Sequence, residues 1–121
     1  MRATIRTGVA GREPEIPFRL SIDIPAGRIS VQGDFDRQHV GRFLDSISLL
    51  DHSPSPSWSV DVAAVSFCDA GGLRALLAAR RAAERTGRTF RITGAGPWMR
   101  HLLPMIGLTA VESPRILRSV S

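Results

Sequence analysis

The segment Ser66-Phe67-Cys68-Asp69-Ala70-Gly71-Gly72-Leu73 gathers the residue types most able to do chemistry. It follows an apolar run and opens a helical pattern, so Asp69 stands where a side-chain oxygen can accept from the free amides of a first helical turn. Two glycines leave those amides uncovered. Glycine costs about 1 kcal/mol relative to alanine within a helix and less in the first turn; close approach by a partner explains the pair, and so does a tight turn. A helix start attracts anions, but a phosphate-binding loop needs a lysine at G-x-x-x-x-G-K spacing, and all 16 basic residues are arginine. Tyrosine is absent as well, which excludes a tyrosine acid along with a Schiff-base lysine. Cys68 reads either as a redox-sensitive thiol or as a small buried hydrophobe. His39, His52 and His101 have no metal-ligand spacing with one another or with Cys68, so neither a metal nor another cofactor is expected. No Ser-His-Asp order or carboxylate pair can be assembled. The expectation is a protein that is not an enzyme.

The elements that must position this segment are legible from periodicity. Phe18, Leu20, Ile22 and Ile24 alternate with polar residues, then Pro25-Ala26-Gly27 gives turn chemistry, and Ile29 and Val31 resume the alternation. That pattern is a hairpin. Val40, Phe43, Leu44, Ile47 and Leu50 form one stripe on a helix that Asp34 or Asp36 could cap. The stretch from Asp51 to Ser57 is too proline-rich for a regular element. Trp58, Val60, Val62 and Ala64 form a third strand whose apolar neighbours suggest burial on both faces. A helix from near Asp69 to about Arg85 turns Leu73, Leu76, Leu77 and Ala83 inward, with Gly87 past its end. Phe90 and Ile92 mark a fourth strand, and Pro97 starts a last helix carrying Met99, Leu102, Leu103 and Ile106, which Pro104 stops or kinks. Strands alternating with helices imply an α/β fold, parallel apart from the hairpin.

With 121 residues the chain has room for one domain. Residues 1–16 read as a flexible N-terminal arm and 17–121 as the domain. One cysteine excludes an internal disulfide and fits a reducing compartment. No apolar run is long enough for membrane insertion, and no leader pattern precedes the domain, so a cytoplasmic location is expected. The net charge of +5 suits an anionic partner. Arginine without lysine is also what a GC-rich coding sequence produces.

Residues 18–110 resemble a STAS domain, the fold of bacterial anti-sigma factor antagonists and of sulphate-transporter tails. Three blocks carry the likeness: 29–36, similar to a strand followed by G-E-L-D; 60–73, similar to D-L-x-x-V-x-F-x-D-S-S-G-L; and 87–92 with 105–108 near the end. The resemblance implies a four- to five-stranded mixed sheet with three or four helices packed on it. It also implies a regulatory module that binds an anti-sigma factor of the serine-kinase type and frees a sigma factor, the complex breaking when the D-S-S-G serine is phosphorylated. Phosphate adds about two negative charges in the middle of an interface. Here Ala70 and Gly71 occupy the hydroxyl positions, so the module is either constitutively competent to bind or has a different kind of partner. Ser66 reads as too buried to substitute, and Ser53, Ser55, Ser57 and Ser59 as solvent residues.

Carried onto this chain, the resemblance places Asp36, Asp69, Ala70, Gly71, Gly72, Leu73 and Arg74 at the partner surface. Arg74, Arg81 and Arg85 recur at i, i+7 and i+11, the latter two within about 20° of Arg74 on one helix face; they form a solvated face or a basic docking strip. A STAS subunit that docks on the ATPase of an ABC-type lipid transporter is the alternative, and a basic nucleic-acid-binding protein a more distant one. A homodimer is left open. The family often closes on a longer C-terminal helix, which Pro114 would shorten or remove.

Overall fold

A computed structural model describes residues 17–108 and 110–111 of the chain. The expected N-terminal arm and the region of a C-terminal helix lie outside the described residues. Strand β1 (Arg19–Asp23) and β2 (Arg28–Phe35) form the expected hairpin. Its turn needs glycine at 27, where φ is +67° and a β-carbon would stand 2.7 Å from the Ser57 carbonyl oxygen. A 3-10 turn over Arg37–His39 leads into α1 (Val40–Leu49), and a second 3-10 turn follows at Leu50–His52. Then come β3 (Ser57–Cys68), α2 (Ala70–Arg85), β4 (Thr89–Thr93), α3 (Pro97–Leu102) and a short β5 (Ala110–Val111). Pro97 occupies the start of α3, and the α-helix stops at Leu102, one residue before a 3-10 turn that contains Pro104. Proline lacks the N–H that a continuing helix requires.

The described strands form one sheet in the order β1-β2-β3-β4-β5, antiparallel at the hairpin and parallel elsewhere. Each crossover advances one strand in the same direction. Right-handed crossovers that all step one way place their helices on the same face of the sheet. Burial agrees: Ile29, Val31 and Phe35 of β2 and Trp58, Val60 and Val62 of β3 are buried, whereas Ala63, Ala64, Ser66 and Phe67 are exposed. The expectation that β3 is buried on both faces is therefore corrected. Its apolar residues on the open side are small or lie at the strand end.

Strand β3 is also longer than its early alternation suggests, because it carries two extra residues relative to β2. Ser30 pairs with Asp61 but Gln32 with Ala64, and Gly33 pairs with Val65 but Asp34 with Phe67. Each extra residue shifts the phase by one, so the inward positions run 58, 60, 62, 65 and 68. The core between sheet and helices includes Phe35 and Phe43 with ring centroids 4.8 Å apart, and Leu50, Trp58, Leu76, Ile92, Met99 and Leu103. Helix α2 lays Ala75, Ala79 and Ala83 against it, which lets the helix approach closely. Leu73 and Leu77 pack at the edge of this core, half-buried.

The loop before β3 is held by side chains. Ser53 is buried, its Oγ accepting from the Ser55 N–H, and the Ser55 hydroxyl donates to the Ser57 carbonyl at 2.8 Å. Arg88 closes over them. Its guanidinium donates to the carbonyls of Ser53, Ser55 and Asp51 at 2.8, 3.2 and 3.3 Å and lies 5.2 Å from the centroid of the Trp58 ring. The reading of these serines as solvent residues is corrected: Ser53 is buried and Ser55, Ser57 and Ser59 are half-buried.

Candidate functional site

Strands β2 and β3 run parallel and finish together, with Phe35 paired to Cys68. The turns that follow them, Asp36-Arg37 and Asp69-Ala70, therefore meet at one edge of the sheet, the carboxyl edge where α/β proteins commonly place ligands and partners. Asp69 has extended backbone and caps α2, Oδ1 accepting from the Gly72 N–H at 2.9 Å. Its Oδ2 accepts from the Arg37 N–H at 3.3 Å. One carboxylate thus joins the start of α2 to the turn after β2. Asp36, and not Asp34, caps that turn by accepting from the Gln38 N–H at 3.0 Å. His39 Nδ1 lies 3.1 Å from Asp36 Oδ1 and 3.0 Å from the Asp34 carbonyl, and its ring stacks on Phe18 at 4.1 Å. Asp34 Oδ1 accepts from the Ser66 hydroxyl at 3.0 Å.

Burial pushes the Asp69 carboxyl up, but hydrogen bonds from the N–H groups of Gly72, Arg37 and Gly71, with the Arg37 charge, outweigh it and hold the group below its ordinary value of 3.8. Cys68 goes the other way. Burial first, and then the Asp69 charge, push its thiol up to about 12, so it stays protonated at neutral pH and fills space beneath the turn. The described residues contain no cluster of three or more His, Cys, Asp or Glu able to hold a metal.

The two glycines have different reasons. A β-carbon at 72 would overlap the Phe35 carbonyl oxygen and stand 2.8 Å from Cys68 Sγ. Glycine at 72 is thus explained by contact within the chain. A β-carbon at 71 would meet Asp69 Oδ1 at 3.2 Å and Arg37 at 3.4 Å, which a small shift relieves.

Of the residues expected at a partner surface, Ala70 and Arg74 are exposed and Asp36, Asp69 and Gly71 half-exposed. Gly72 is buried and Leu73 packs against the core; both support the surface from beneath. Arg81 and Arg85 are exposed near the other end of α2, so only Arg74 adjoins Asp69. Ser66, expected to be too buried for a kinase, is exposed, because the first extra residue of β3 already turns it outward. The second extra residue turns Phe67 outward as well, leaving it 51% exposed beside the site. Alternation extrapolated from Trp58 already puts Phe67 on the opposite face, and the expectation of burial on both faces of β3 is what hid its exposure.

Gly72→Ala is expected to destabilise the fold by about 2 kcal/mol or more through overpacking, whereas Gly71→Ala stays within about 1 kcal/mol of wild type because gained helix propensity offsets the contact. Urea midpoints at unchanged m-value measure both. The Asp69 carboxyl has a lower pKa folded than unfolded, so its stabilisation is present above 3.8 and fades as pH falls below that toward the folded value. The stability difference between wild type and Asp69→Asn is therefore expected to be constant from pH 7 down to about 5 and to shrink at lower pH. A difference that grows on acidification contradicts this assignment.

A family model described as "Mlab, STAS domain" matches residues 18–118. No curated protein matches the sequence. Among solved structures, the anti-sigma factor antagonist SpoIIAA in its unphosphorylated form is similar with a TM-score of 0.63 at 17% identity, over 84% of this chain and 94% of that one. The Bacillus cell fate determinant SpoIIAA in the phosphorylated form gives 0.63 at 18% identity, over 87% and 100%. An anti-sigma factor antagonist from Mycobacterium paratuberculosis gives 0.61 at 24% identity, over 82% and 86%. The structural likenesses concern the fold, and they agree with the described five-stranded sheet and its helices. With the family model spanning residues 18–118, the chain belongs to the STAS-domain family.

Proposed function

We propose that this protein is a non-catalytic regulatory module that binds a protein partner through the surface formed by Asp36, Asp69, Ala70, Gly71 and Arg74. The carrying observation is the start of α2, exposed at Ala70 and half-exposed at Gly71, capped by Asp69 and tied to the neighbouring turn, with no hydroxyl at 70 or 71. An anti-sigma factor of the serine-kinase type is the partner that the antagonist resemblance suggests. With Ala70 and Gly71 in place of serines, such a partner has no acceptor there, and the module stays competent to bind. This reading rests on the side chains at the turn, since the phosphorylated and unphosphorylated antagonists are equally similar in fold. A second reading, docking on a transporter ATPase, draws on the same missing hydroxyl: that partner needs no phosphorylation switch. The family model is moreover one for Mlab-type domains.

Affinity capture with the full chain as bait, followed by identification of the retained protein, separates the two partners. Ala70→Glu supplies the discriminating control. A glutamate at the first helical position suits the helix dipole and leaves the fold stable, while it places negative charge in the interface, so capture of the wild-type partner is expected to fall at least about tenfold. Undiminished capture removes the first turn of α2 from the interface.

Arg74, Arg81 and Arg85 supply the second test. Eleven residues at 1.5 Å each span about 16 Å, within the reach of one ordinary interface. If the strip steers an acidic surface, doubling the salt from low ionic strength slows association several-fold and leaves dissociation nearly unchanged. A salt-independent association rate assigns the three arginines to solvent.

A further inference from the structure

Five large hydrophobic side chains are exposed among the described residues, and two of them stand on one short unit. Trp98, on α3, is 43% exposed, and Met105, on the 3-10 turn Leu103–Ile106 that follows, is 73% exposed. Seven residues are about two helical turns, so the pair projects from one side of the unit, with exposed His101 between them. Met99 and Leu103 on the other side are buried in the core. The unit is thus anchored on one face and carries an apolar ridge on the other.

Charge separates this ridge from the remaining exposed apolar residues. Ile22 precedes Asp23, Leu49 lies two residues before Asp51, and Phe67 pairs across strands with Asp34. By contrast, no acidic residue occurs between Glu84 and Glu112, a stretch that holds Arg85, Arg88, Arg91 and Arg100. Arg100 and His101 are exposed and make no ion pair among the described residues. Two acidic groups come from neighbouring elements. Glu84 lies 3.6 Å from Arg80, and Asp61, half-buried beside Gly94, accepts from the Ala63 N–H.

A projecting ridge of this kind fits a lipid surface, which needs no carved complement. Tryptophan suits the zone between headgroups and acyl chains, where the ring is buried and the indole N–H stays among polar groups. Anionic headgroups attract arginines held close to them. A second copy of this chain brings the same net charge of +5 and is repelled.

We propose that the Trp98–Met105 ridge docks this protein peripherally on an anionic phospholipid bilayer, with Trp98 and Met105 entering the headgroup boundary and Arg100 meeting lipid phosphates. No helix among the described residues is long and apolar enough to cross a membrane, so the contact is superficial and reversible. It uses another element than the Asp69 surface and is read with no protein partner present, so its failure leaves the protein-binding reading untouched.

The probe is the full chain mixed with vesicles of phosphatidylcholine alone or with an equal part of phosphatidylglycerol. On the mixed vesicles tryptophan emission is expected to shift to the blue through Trp98, while buried Trp58 gives a constant background. Retention by the mixed vesicles is expected to exceed that by phosphatidylcholine at least about tenfold and to fall as salt rises. Met105→Glu, at the most exposed position, is expected to lower it about tenfold or more, and Arg100→Gln about fivefold. Leu49→Glu makes the same change of net charge on α1, at another exposed apolar position, and is expected to leave more than half of the retention. Equal retention by the two vesicle types, unmoved emission, or a loss in Leu49→Glu as large as in Met105→Glu each overturns the proposal. Absence of vesicle binding, with Met105→Glu instead lowering capture of a protein, overturns it in favour of a protein contact.

Discussion

The first turn of α2 lies so close to the end of β2 that position 72 has room for a hydrogen and nothing larger, because the Phe35 carbonyl and the Cys68 sulfur occupy the place of a β-carbon. This approach sets the geometry of the whole carboxyl edge. It brings the helix start within reach of the turn after β2, so that the Asp69 carboxylate spans the gap and accepts from Arg37 as well as from Gly72. A longer gap would leave two orphan amides and a cap serving one element only. The charged carboxylate is retained for the same reason: three backbone donors converge on it.

The order of the strands determines what the rest of the molecule can offer. Because every parallel connection steps the same way across the sheet, the helices share one face and the two ends of α2 open onto opposite edges. One end is a rigid cap with small exposed residues, suited to a flat protein surface. Toward the other end Trp58 lines a groove between α1 and α2, whose α2 wall includes the small side chains of Ala78 and Ala82. Neither end needs the open face of the sheet, whose positions at Arg19, Asp23, Arg28 and Gln32 are polar.

Much of this was legible in the residues. The hairpin, the Asp69 cap, the inward stripe of α1, proline at the start of α3 and glycine past α2 each follow from a local rule that the fold obeys. Two kinds of feature escaped. The paired irregularities of β3 depend on its register against β2, a non-local property, and without them Ala64 reads as inward and Ser66 as buried when both are exposed. The buried Ser53 escaped because its environment is built by Arg88, 35 residues away, which closes the loop over Trp58. The resemblance to the STAS family located the candidate turn and its missing hydroxyls, but it could not separate Gly72, required from within, from Gly71, which has room.

The arginine-only composition reads differently once the side chains are placed. Arg88 uses its planar fork on three carbonyls and its face on Trp58, work that the single ammonium of a lysine could not reproduce. Arg80 donates to the Gly107 carbonyl at 2.7 Å and holds α2 to the turn after α3, while Arg42 covers the Phe18 ring at 5.1 Å. These guanidinium groups keep their charge, but their positions are set by contacts within the chain. On α2, Arg74 is exposed beside the capped turn, and Arg81 and Arg85 are exposed nearer its other end. Arg19, Arg28, Arg37, Arg91 and Arg100 are exposed on other elements, so the positive charge is distributed over the described surface and is not gathered on one helix.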